Sequence, residues 1–200
     1  YTDALELKTK SRIGLVRPYC DDLDDDIAYA VDQALHLIES MGADVIDVEL
    51  PATPAAVQGP EVCAVHAKYL ATKPELYGRW TRERLNQAAA IDTVTYVEAR
   101  QQLERVRRSI ADVFSKVDFL ITPTSPVSPI TIKEALEMSP DPAGELWLRN
   151  TRPFNAYGVP AISIPCGFTR SGLPIGLQIA GPTFGEARLL SFAYAFEQST

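Results

Sequence analysis

The sequence predicts an α/β fold, a mixed β-sheet flanked by helices. Three patterns carry that expectation. A short apolar run, an amphipathic stretch and a second alternating run follow one another near the start. A long helical stretch leads directly into an apolar strand in the middle. Two strand-like segments joined by a turn precede an amphipathic helix at the end.

Taken in order, RIGLVR from Arg12 to Arg17 reads as a buried strand. The acidic run Asp21 to Asp26 stands before Ile27, Val31, Leu35 and Ile38, which lie on one face of a helix. Carboxylates at that position suit the positive end of the helix dipole. Gly42 stops the helix as a C-terminal glycine, and ADVIDVEL from Ala43 to Leu50 alternates as a second strand closed by Pro51. Strand, helix, strand is most economically a parallel pair with a crossover.

The segment Thr53 to Asn86 is broken by Pro54, Pro60 and Pro74 and predicts two or three short helices. A longer helix over Thr93 to Lys116 places Tyr96, Ala99, Leu103, Val106, Ile110 and Phe114 on one side. VDFLIT from Val117 to Thr122 is a short strand running into a proline-stiffened loop, and residues 139–145 read as another loop. Ala161 to Pro165 and Ile175 to Ala180 pair as a hairpin across Gly172, Leu173 and Pro174. Glu186 to Gln198 is the closing helix. No repeat or low-complexity linker divides the chain, so residues 1–200 read as a single α/β domain.

Composition narrows the function. The chain has 200 residues, 46% hydrophobic and 22% charged, with a net charge of -7. No basic field exists to attract a nucleic acid or an anionic membrane. No apolar run approaches the roughly 20 residues of a membrane span. The three cysteines, Cys20, Cys63 and Cys166, are odd in number and widely spaced, which points away from a disulfide framework or zinc site and toward a reducing, cytoplasmic setting. No cofactor or metal motif is present. The chain begins at Tyr1 and its methionines are Met41 and Met138, so it reads as a fragment, a processed chain or a trimmed chain.

Familiar catalytic arrangements are missing. His36 falls on the polar face of the first helix, and His66 beside Val62, Val65 and Tyr69 reads as a packed, hydrogen-bonded residue. Cys166 has no base nearby in sequence and reads as a small buried residue. Arg82 and Arg84 read as solvated. There is no Gly-x-Ser-x-Gly elbow and no phosphate-binding glycine loop.

One signal remains. NAYGVPAISIPCG (155–167), then GLPIGLQIAG (172–181), then Glu186, Leu189 and Leu190, resembles the C-terminal block of amidase-signature enzymes. That block runs approximately N-x-x-G-x-P-A-x-S-x-P-x-G, then G-L-P-x-G-x-Q, then an acidic residue leading into a helix. Asp118 to Thr124 is similar to the family's D-x-L-x-x-P-T strand, and weaker similarity extends toward Arg12. The resemblance implies a parent enzyme that hydrolyses carbon–nitrogen amide bonds on a small-molecule amide. The family's nucleophilic serine, its second serine and its lysine relay a proton, and a glycine-rich loop holds the oxyanion. No Gly-Gly-Ser-Ser or Ser-Ser-Gly stretch occurs here. The expectation is therefore a chain without catalytic residues of its own, supplying scaffold and one wall of a substrate pocket through Thr124 and Asn155. Gln178 reads as a residue that satisfies buried backbone groups. Part of a glutamine-dependent amidotransferase subunit, or a non-catalytic ligand- or partner-binding domain, are the alternatives. A sheet normally completed by other strands would leave an edge open to self-association.

Overall fold

Five strands form a mixed sheet in the order β2–β1–β3–β5–β4, seen in a computed structural model that describes residues 11–137 and 143–200. β1 (Arg12–Leu15) pairs in parallel with both β2 (Asp44–Asp47) and β3 (Phe119–Pro123). β5 (Pro174–Ala180) runs antiparallel to β3 and to β4 (Ala161–Phe168). The expected parallel crossover and the expected terminal hairpin are both present.

The crossover helix α1 (Asp25–Ser40) buries Ile27, Val31 and Ile38 of the expected stripe, leaves Leu35 half-buried and adds Ala30 and Ala34 to the buried face. Gly42 follows its end at φ 90°, a left-handed conformation that favours glycine. The acidic run does more than face the helix dipole. The Asp24 carboxylate accepts the Ser128 N–H at 2.7 Å, and Asp26 accepts the Arg170 N–H at 2.8 Å while its other oxygen lies 3.0 Å from the Arg170 Nε. The first turn of α1 thus fastens the loop after β3 and the tip of the β4–β5 hairpin.

Alternation along the strands divides the sheet into two faces. On one, Ile13, Phe119, Ile121, Ile164, Ile175, Leu177 and Ile179 join α1 and the last helix in one core. That last helix is α8 (Glu186–Glu197), whose Phe192 stacks on Phe119 with centroids 4.9 Å apart. Complete burial of Leu177 or Ile179 contributes about 1.5–3 kcal/mol each. The other face carries Gly14, Leu120, Thr122, Gln178 and Ser163. Gly14 lets Leu120 and Val48 pack close to the strand, where a Cβ would lie 2.9 Å from the side chains of both and make them shift.

The chain divides into two compact units, one formed by residues up to Pro51 together with Arg108–Thr200, the other by Ala52–Arg107. The second unit contains α2 (Gln58–Thr72), a single 3-10 turn at Pro74–Leu76, α3 (Arg79–Ala89) and most of α4 (Thr93–Phe114). The Cys63 thiol donates to the Leu85 carbonyl at 3.0 Å, and His66 Nδ1 lies 2.8 Å from the Tyr77 hydroxyl. His66 is hydrogen-bonded as the sequence reading expects, but it is half-buried rather than in a core, whereas His36 lies exposed beside Asp32.

Three short helices complete the first unit: α5 (Ile132–Glu137), α6 (Ala143–Leu148) and α7 (Arg152–Tyr157). Most of the loop expected at 139–145 lies outside the described residues, but α6 already begins at Ala143. Among the described residues no helix is long and apolar enough to cross a membrane.

Candidate functional site

β3 is buried along its whole length and delivers Thr124 just beyond its C-terminal end. Parallel-containing sheets place ligands at such ends, because the connecting loops diverge there and leave backbone and side-chain groups free to converge. Thr124 is held by its neighbours in the sheet. Its N–H donates to the Gly176 carbonyl at 2.9 Å, and its hydroxyl lies 2.6 Å from that of Ser163. Thr124, Gly176 and Ser163 therefore meet across β3, β5 and β4. A Cβ on Gly176 would fall 2.6 Å from the Ser163 oxygen and 2.8 Å from the Thr124 oxygen, so the missing side chain leaves the space that the hydroxyl pair occupies.

Behind this pair lies a buried polar layer. Gln178 Nε2 donates to Thr122 Oγ1 at 2.9 Å and to the Asn150 carbonyl at 2.8 Å. Asn150, fully buried, donates from Nδ2 to the carbonyls of Pro123 at 2.8 Å and Tyr19 at 3.0 Å. Its Oδ1 accepts Arg149 Nε at 3.0 Å, and Arg149 Nη2 reaches the carbonyls of Tyr19 and Asp21. No buried side-chain nitrogen or oxygen among the described residues lacks a partner. A satisfied network of this kind is rigid, because moving any member would strand a buried polar group at a cost of about 1–3 kcal/mol. It fixes Pro123, and with it Thr124, against the 3-10 turn Arg17–Tyr19. Tyr157 of α7 adds a further tie, donating to the Pro51 carbonyl at 2.7 Å. Burial pushes the Tyr157 phenol well above its ordinary range, reinforced by the neighbouring Tyr19. It acts there as a neutral donor.

The two residues singled out in the sequence sit differently. Thr124 is half-buried and joined to Ser163 and Gly176; Asn155 is exposed on α7. Gln178 satisfies a buried carbonyl, the role read for it. Burial pushes the Cys166 thiol up to about 11, so it is a protonated residue packed at the edge of the core. Arg82 and Arg84 are exposed. Ser163 and Gly176 stand inside the motif, but nothing in their spacing marks them as partners of Thr124; only the strand register brings them together. Asn150 lies outside the motif, and a lone asparagine in a loop carries no signal of its burial.

The family model described as Amidase matches residues 2–190. This chain belongs to the amidase family. It is 31% identical over its full length to a glutamyl-tRNA(Gln) amidotransferase subunit from Thermodesulfovibrio yellowstonii, covering 47% of that protein. It is 31% identical to the 2-amino-5-chloromuconic acid deaminase of Comamonas testosteroni, with 93% of this chain aligned to 42% of that enzyme. The crystal structure of the corresponding glutamyl-tRNA(Gln) amidotransferase subunit from Thermotoga maritima superposes with a TM-score of 0.76 at 26% identity, covering 97% of this chain and 44% of that one. The chain thus spans about half the length of the curated amidase-family relatives it matches. The mixed sheet with flanking helices is the fold of these relatives.

Proposed function

We propose that this chain forms the C-terminal portion of an amidase that hydrolyses carbon–nitrogen amide bonds. It supplies scaffold and one wall of the substrate pocket, and the catalytic serines and lysine are contributed by residues it does not contain. The observation that carries the reading is the rigid placement of Thr124 at the C-terminal end of β3, with its hydroxyl on the polar face of the sheet. Asn155 of the matched block contributes from α7. The partner is a small-molecule amide, in a cytoplasmic setting, and the acidic charge leaves nucleic acid and membrane aside.

The test is steady-state kinetics of the full-length protein on a panel of primary amides. Removing one hydrogen bond to substrate costs about 0.5–1.5 kcal/mol, so Thr124→Ala and Asn155→Ala each raise KM by about 2- to 10-fold while the melting temperature changes little. Unaltered KM and kcat in both variants would remove these residues from the pocket wall.

A second reading, a glutamine-dependent amidotransferase subunit, is favoured by the similarity to the Thermodesulfovibrio yellowstonii protein over the whole chain. It predicts hydrolysis of glutamine in preference to other amides, and dependence on partner proteins. Hydrolysis of simple amides by the protein alone favours the first reading.

A further inference from the structure

We propose that Ser163 and Gly176, with Thr124, form a carboxamide-recognition station in which Gly176 is the position that sets specificity. The inference rests on the amidase reading and adds to it which atoms meet the substrate. Of two hydroxyls 2.6 Å apart, one donates its proton in a hydrogen bond to the other. Whichever oxygen donates, the other keeps an O–H free to point outward, and the pair keeps lone pairs to accept. A donor beside an acceptor is the complement of a carboxamide, which presents a carbonyl oxygen and an N–H on one planar edge. A carboxylate presents acceptors only and would meet a single donor.

The surroundings fit. Ser163 is exposed on β4, Thr124 half-buried and Gly176 half-buried, so the pair opens outward from the sheet rather than into the core. Its back is closed by Gln178, whose amide is spent on Thr122 and Asn150 and cannot compete for the hydroxyls. Gly176 has no side chain to displace the pair, and the space beside it is the space the two hydroxyls fill. Any side chain there would lie under 3.0 Å from each of them and force the pair apart.

The test uses the full-length protein and benzamide, titrated by isothermal calorimetry within a time over which ammonia release shows it uncleaved, beside kinetics on a second primary amide. Ser163→Ala removes one hydroxyl without adding bulk and weakens benzamide binding about tenfold, with a matching rise in KM and little change in kcat or melting temperature. Ser163→Thr keeps the hydroxyl and restores binding to within about threefold of the parent value, which a purely structural role for Ser163 would not require. Gly176→Ala weakens benzamide more than it weakens benzoate. Turnover of amides with benzamide affinity unchanged in Ser163→Ala and Gly176→Ala overturns this inference and leaves the amidase reading standing. Binding that is lost in the variants of a protein that hydrolyses no amide supports the station and overturns the amidase reading. Neither binding nor turnover overturns both.

Discussion

Asp118 shows at the level of a single residue how the motif strand is anchored. It precedes β3, accepts the Arg12 N–H at 2.8 Å and lies 2.9 Å from Arg188 Nη2 of α8. Desolvation pulls its pKa upward, but the hydrogen bonds from Arg12 and Arg188 and the charges of both outweigh it, and the carboxyl sits below its ordinary 3.8. The sign follows directly. A depressed folded pKa means stability that is fully present above the unfolded value of about 3.9 and is lost as pH falls through the lower folded value. Asp118→Asn should therefore lower the melting temperature at pH 7 by roughly 2–4 °C, about 1 kcal/mol. The gap between variant and parent should close progressively below about pH 4. A gap that stays constant from pH 7 to pH 2 would show that the carboxylate charge contributes nothing. The residues that matter most for the site are legible in the sequence to different degrees. Thr124 follows an apolar strand and a proline, which mark it as a strand end. Ser163 and Gly176 acquire meaning only from register, since each sits 39 or more residues from Thr124.

Elements with a full period of apolar residues are readable. The α1 helix and the β4–β5 hairpin match the structure to within a few residues, the helix because burial of one face imposes a 3.6-residue period and the hairpin because a turn separates two apolar runs. The sequence reading does not anticipate α5, α6 and α7. Each is six residues long, less than two turns, and no periodicity develops over that length. The local signals for α7 are nonetheless present: Pro153 at its start and Gly158, at φ 71°, just past its end. β4 runs to Phe168 rather than ending at Pro165, because a register shift between Pro165 and Gly167 carries the ladder past the proline. β4 is also an edge strand. Pro165 lacks an N–H and the bulge bends the backbone beyond it, so the free ladder is confined to residues 161–164. We propose that the isolated chain self-associates through that segment. Analytical ultracentrifugation should show a concentration-dependent shift to dimers or larger species, abolished by Ile162→Pro or Ile164→Pro. A monomer at all concentrations would exclude this edge as a contact.

At the scale of the whole molecule, a core built on one face of the sheet holds a polar layer on the other, and the layer holds Thr124. The division of labour explains why the site is only partly legible in the sequence. The core follows from patterning, whereas the polar layer follows from long-range hydrogen bonds such as Asn150 to Pro123 and Gln178 to Asn150, which no local pattern encodes. The central claim is that this chain carries the wall of an amidase pocket and that the chemistry is supplied by residues outside it. The most direct test is ammonia release from primary amides, measured side by side for the 200-residue chain and for the full-length protein. The account predicts release by the full-length protein and none above the buffer rate by the chain alone. Turnover by the chain alone, or silence from a folded full-length protein across the panel, would contradict it.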